Sequence, residues 1–247
     1  MAQFNICIAG HTAQVCSLFE STRDYCSRYL SREEPEFTVE VFRQELAAEQ
    51  AALRREAEEE GIRYRTFTDP FLERAVIQRK VAEQLFRHEI LLIHGSTVAV
   101  DGKAYLFTAK CGTGKSTHTR LWRQVFGNRA VMVNDDKPFL ELGEDGVTAH
   151  GSPWSGKHGL DSNVSVPLQG ICILERGTEN RISRITPQQA ASMLRHQGYC
   201  PEGMEQMYLT LVDKLMEQTP LWRMECTKDP QAAMVSYEAM SKDDFNT

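Results

Sequence analysis

The residues best suited to chemistry run Ala109-Lys110-Cys111-Gly112-Thr113-Gly114-Lys115-Ser116-Thr117. Small residues here let backbone N–H groups wrap an anion. The apolar stretch before the segment reads as a strand and the stretch after it as a helix. That order puts a helix N-terminus, with its partial positive charge, against the anion. Lys115 then reaches the β- and γ-phosphates of a nucleotide, and the Ser116 hydroxyl holds Mg²⁺. Cys111, Gly112, Thr113, Gly114 and Thr117 complete the cradle. One position departs from G-x-x-x-x-G-K-[ST], because Ala109 stands where the first Gly is expected. The departure is tolerable if φ at Ala109 is negative.

A phosphate site needs carboxylates on a neighbouring strand end. Asp135 and Asp136 fill that place, directly after Ala-Val-Met-Val-Asn. Two adjacent carboxylates are costly without a cation beside them. Mg²⁺ on the phosphates of ATP supplies one. One carboxylate then binds metal, and the other takes the proton from an attacking hydroxyl. The polar stretch 151–163 is the expected acceptor side. Its Trp154, Ser155, Lys157 and His158 are the substrate candidates, with the cations placed to stabilise transferred charge. Arg176 is a further cation candidate that reads more readily as a surface residue, Trp122 reads as core, and His118 as either packing or nucleotide contact.

These groups need a framework. The central pattern predicts strands over 90–94, 97–100 and 103–109, with Asp101-Gly102 as a two-residue turn. A helix is expected over 116–126, a strand over 130–133, and a hairpin over 139–142 and 147–150. Strands follow at 164–166 and 170–174, helices at 186–197 and 203–217, and a last strand at 221–226. The N-terminal third reads as a strand over 4–9, a helix over 13–30 from Val15, Leu18, Phe19, Tyr25 and Tyr29, and a strand over 36–42. An Ala/Glu/Arg-rich helix covers 43–60. Thr68-Asp69-Pro70 opens a further helix to Phe86. The end of the chain reads as a frayed tail. The division expected is an N-terminal α+β lobe over 1–88, open to an acceptor or partner, and an α/β core over 89–240.

His94-Gly95-Ser96, the hairpin after it, Cys111-Gly112-Thr113-Gly114-Lys115-Ser116-Thr117 and Asn134-Asp135-Asp136 together resemble the HPr kinase/phosphorylase and ATP-dependent phosphoenolpyruvate carboxykinase superfamily. The likeness is nearest to its compact bacterial HPr-kinase-like members. Ser116-Thr117-His118-Thr119-Arg120-Leu121-Trp122, Asn134-Asp135-Asp136-Lys137-Pro138 and Gly151-Ser152-Pro153-Trp154-Ser155-Gly156-Lys157 carry it, over about residues 90–195. The resemblance implies an ATP-binding P-loop core on a mixed, partly antiparallel sheet. It further implies Asp135 as the base toward a substrate hydroxyl, Asp136 as a metal-site carboxylate and His94 beside the γ-phosphate. The two acids are free to exchange roles. The Pro-Gly-Arg-Asn segment of HPr kinases and the Arg-rich oxaloacetate site of carboxykinases have no counterpart in the sequence, so the acceptor stays open.

The whole composition bounds the rest. In 247 residues, 28 Lys and Arg face 34 Asp and Glu, a net charge of -6. Bulk electrostatic binding to nucleic acid is therefore not expected. No stretch approaches the roughly 18 apolar residues that span a bilayer, and the apolar start reads as a strand without a basic leader. The 7 cysteines are widely spaced with no CxxC, which points to reduced thiols and a cytoplasmic protein. The expectation is an ATP- and Mg²⁺-dependent kinase acting on a hydroxyl, of a protein, a peptide or a small metabolite, with self-association left open. A nucleotide-binding regulatory switch and a simple NTP hydrolase are the alternatives.

Overall fold

The computed structural model describes residues 2–59, 61 and 63–242. Two compact units divide the chain, Met1–Arg87 and His88–Thr247.

In the first unit, β1 (Ala2–Ile8) and β2 (His11–Ser17) form a hairpin through Ala9 and Gly10, both at positive φ. A short helix α1 (Glu20–Tyr25), the two-residue β3 (Leu30–Ser31) and β4 (Phe37–Glu40) follow. The sheet order is β3-β1-β2-β4. Then come α2 (Arg43–Glu59) and α3 (Asp69–Phe86), the latter with Thr68 as N-cap and Pro70 in its first turn. The helix expected over 13–30 is corrected: its first half is β2. Ala13 and Val15 face inward while Gln14 and Cys16 do not, a period of two that the hairpin makes decisive. Glu60, at the end of the expected helix over 43–60, lies outside the described residues. Glu73 of α3 is fully buried and takes hydrogen bonds from the Leu18 N–H and the Thr22 hydroxyl, which ties α1 to α3.

The second unit is a mixed α/β fold. It contains β5 (Ile90–Leu92), β6 (Ser96–Val100), β7 (Lys103–Thr108), α4 (Lys115–Phe126), β8 (Ala130–Asn134), β9 (Phe139–Leu142) and β10 (Val147–His150). The chain continues through β11 (Ser165–Arg176), β12 (Arg181–Arg184), α5 (Pro187–Gln197), α6 (Glu205–Gln218), β13 (Leu221–Cys226) and α7 (Gln231–Ser241). The sheet runs β5-β9-β10-β11-β7-β6-β8, and β13 joins β11 and β12. β7, β11 and β13 are parallel; the other pairings are antiparallel. The two strands expected over 164–166 and 170–174 are one long strand, with a register shift at Leu168/Gly170. The early part of β11 carries β10, and its later part carries β13.

α4 and α7 pack together, and both pack against the sheet. Val98, Phe107, Trp122, Met224 and Met240 belong to one buried cluster there. Trp122 is fully buried, with Phe107, Phe126 and Tyr237 ringed about it at centroid distances of 5.2, 5.3 and 5.6 Å. α7 occupies most of what reads in sequence as a tail. It forms because Ala232, Ala233, Ser236 and Met240 share a buried face. Residues 243–247, the end of that expected tail, lie outside the described residues. Among the described residues no disulfide forms, and no helix is long and apolar enough to cross a membrane.

Candidate functional site

The loop 109–114 leaves β7 at Thr108 and enters α4 at Lys115. Gly112 and Gly114 sit at φ of 73° and 127°, where a side chain is strained. Ala109 is absent from the positive-φ positions and is fully buried in the core cluster. Its Cβ therefore fits where the motif has glycine. The Lys115 ammonium folds back across the loop and donates to the Ala109 carbonyl at 3.1 Å. Cys111 and Gly112 are exposed; Thr113, Ser116 and Thr117 are half-buried.

A chain of hydrogen bonds fixes the acids and His94 beside this loop. Thr108, the last residue of β7, donates its hydroxyl to the His94 carbonyl at 3.0 Å. The Gly95 N–H donates to the Asp136 carbonyl at 3.0 Å. Asn134 makes the turn: its Oδ1 accepts from the N–H groups of Asp136 and Lys137 at 2.8 and 2.6 Å. The Asn134 amide donates to the Ser152 carbonyl at 2.8 Å, so the same side chain anchors the 151–161 segment.

The two acids differ in kind. Asp135 is buried and accepts from the Ser96 hydroxyl at 2.6 Å. Thr119 Oγ1, on the first turns of α4, lies 2.8 Å from Ser96 Oγ and 3.5 Å from Asp135 Oδ1. Among the described residues no Lys, Arg or His forms an ion pair with Asp135. Asp136 is about one-third exposed, and its Oδ1 lies 3.4 Å from His94 Nε2. Burial pushes the Asp136 carboxyl up, but the His94 contact and the charges of Lys137 and Lys115 outweigh it and hold the group below its ordinary value. For His94, burial is the main cause of a lowered pKa. The Asp136 contact opposes it, and Lys137 and Lys115 reinforce it. His94 is therefore neutral, and Asp136 ionised, at neutral pH.

The acceptor-side candidates separate. Trp154 is buried edge-on against Phe139 at 6.4 Å. Ser155 is buried and donates to Asp161 Oδ2 at 2.7 Å. These two hold the segment in place. Lys157 and His158 stand exposed on a 3-10 turn, Gly156–His158. Gly156 lies directly against Asp136.

Two groups that sequence reasoning undervalued belong here. Arg176, at the end of β11, donates from Nη2 to the Gly112 carbonyl at 2.6 Å. His118 is buried, its Nε2 3.1 Å from Ser236 Oγ, and burial holds its pKa down at about 4. The Trp122 indole N–H donates to the same Ser236 oxygen at 2.9 Å. Arg176 and Ser236 are 64 and 118 residues from their partners, and no local pattern announces either contact.

The family model described as SynChlorMet cassette protein ScmC matches residues 72–226. No curated protein matches the chain. Among solved structures, the HPr(Ser) kinase/phosphatase from Coxiella burnetii is similar at 11% identity and a TM-score of 0.38. The match covers 61% of this chain and 97% of that one.

Proposed function

The chain belongs to the SynChlorMet cassette protein ScmC family, and from the geometry of its site we propose that it is an ATP-dependent phosphotransferase acting on a hydroxyl. One observation carries the reading. The glycine loop with Lys115, the pair His94–Asp136 and the buried Asp135 come from three separate stretches of chain and meet at one place. That set matches the parts phosphoryl transfer needs: an anion cradle, a cation on the phosphates, a proton acceptor and a metal-side carboxylate.

The residues divide the work. The N–H groups of the loop and the Lys115 ammonium bind the β- and γ-phosphates. Asp135 and Ser116 would hold Mg²⁺. The fit rests on Asp135, a buried carboxylate whose described partners are uncharged hydroxyls, an arrangement that a cation completes. Mg²⁺ would neutralise charge on the phosphates. Asp136 is the proton acceptor, because it is ionised, reachable and oriented by neutral His94. This exchanges the roles that the family resemblance implies for the two acids. The acceptor oxygen attacks the γ-phosphorus, the bond to the β-phosphate oxygen breaks, and the hydroxyl proton passes to Asp136. Lys157 and His158 stand beside this step, on the turn that Gly156 lays against Asp136.

Calorimetry with Mg²⁺ and ATP tests the cradle. The wild-type protein binds, and Lys115→Ala weakens binding by about a hundredfold or more, the loss of a charge-assisted phosphate contact. Equal affinity in both proteins would overturn the assignment of the loop.

A further inference from the structure

Beside the glycine loop lies a cleft of about 510 Å³, lined by Gly112, Thr113, Thr117, His118, Arg176 and Lys228 among others. Its size falls within the range of small-molecule sites. The cleft opens at the carboxyl ends of β7, β11 and β13, three parallel neighbours in the sheet. Ligands of open α/β sheets favour such crevices.

The lining has its own chemistry. It contains Arg176 and Lys228 and no carboxylate. The Arg176 guanidinium is fixed by its bond to the Gly112 carbonyl. A fixed guanidinium offers a planar face for stacking as well as a charge. His118 is 98% buried at the cleft wall, and its Nδ1 has no hydrogen-bond partner.

We propose that this cleft takes the base and ribose of the donor nucleotide, with the base stacked on Arg176. The inference rests on the reading that the loop holds the donor's phosphates. It adds a specificity-determining residue outside the motif. Because Arg176 also grips the loop at Gly112, an occupied cleft and an ordered loop support each other.

The test compares ATP with tripolyphosphate, both with Mg²⁺, by calorimetry on the full chain. Tripolyphosphate fills the loop but not the cleft. Wild-type protein binds ATP about tenfold or more tightly than tripolyphosphate, the scale of one stacked base. Arg176→Lys keeps the charge and loses the plane. It brings ATP close to the tripolyphosphate value measured in the same variant, so that any loosening of the loop at Gly112 cancels in the comparison. Photolabelling of the wild-type chain with 8-azido-ATP then marks peptides holding residues 176–177 or 226–228. Equal affinity of wild-type protein for the two ligands, or label confined to other peptides, overturns the cleft assignment and leaves the phosphate loop standing. Full ATP preference in Arg176→Lys overturns the part given to Arg176. Failure of both ligands to bind overturns the phosphate reading and this inference together.

Discussion

Gly156 stands against Asp136 so closely that a Cβ built on it would lie 3.1 Å from the Asp136 Cβ. Its φ is 68°, a conformation that L side chains rarely adopt. The turn that carries Lys157 and His158 therefore reaches the carboxylate only because residue 156 has no side chain. Gly156→Ala strains the turn by about 1 kcal/mol and displaces Asp136. Phosphotransfer falls by about tenfold or more, while Mg²⁺–ATP affinity, set at the loop, stays within about threefold. Steady-state kinetics beside calorimetry separates the two effects.

Asp135 and Asp136 respond differently to loss of charge. Asp136→Asn removes the proton acceptor, so transfer drops by about 100-fold or more with nucleotide still bound. Asp135→Asn weakens the metal-dependent part of ATP binding and also disturbs Ser96 and Thr119. Titration of Mg²⁺ at fixed ATP shows the contrast, with a raised Mg²⁺ requirement in Asp135→Asn alone.

His118 couples stability to pH. Its pKa in the fold is about 4 against an ordinary 6.5. Between those values the unfolded chain binds a proton that the folded chain refuses. Stability from this group is thus complete above about pH 6.5 and falls as pH drops toward 4, by about 3 kcal/mol in all. Urea melts at pH 7 and pH 4.5 measure the loss, and His118→Phe, which cannot titrate, shows a shallower one.

Gly114 precedes α4 at φ of 127°, with only the Thr117 Cβ near, at 3.9 Å, where a side chain would go. The need for glycine there is conformational rather than a matter of space. Gly114→Ala costs about 1–3 kcal/mol or forces the loop out of its shape. Either way ATP affinity falls, and a thermal melt with and without ATP tells the two apart.

Much of this site was legible in the order of residues. The loop, the helix after it and the Asn-Asp-Asp turn all depend on local signals: glycine spacing, helix formers and a carboxamide that caps its own turn. The paired hairpins of the core were readable for the same reason. β2 was not, because Val15, Leu18, Phe19, Tyr25 and Tyr29 also satisfy a helical period. Its pairing with β1 through Ala9-Gly10 decided between the two patterns. α7 has a readable buried face in Ala232, Ala233, Ser236 and Met240, yet a short segment near a chain end has little to distinguish it from a loop. What spacing does not encode is which distant groups meet. Glu73 with Thr22, His118 with Ser236 and Arg176 with Gly112 are joined only by the folded sheet and its helices. The difference in surroundings between Asp135 and Asp136 belongs to the same class. Ser96 and Thr119 sequester one acid, and His94 orients the other.

The most direct test of the central claim is transfer of label from γ-labelled ATP with Mg²⁺. Free serine, free threonine, inositol, peptides and proteins from a cell extract serve as acceptors, with Asp136→Asn alongside. The wild-type chain is expected to give a labelled product with a hydroxyl acceptor, formed about 100-fold or more slowly by Asp136→Asn. Label released only as inorganic phosphate, at a rate that no acceptor changes, would contradict it and mark the protein as a simple hydrolase.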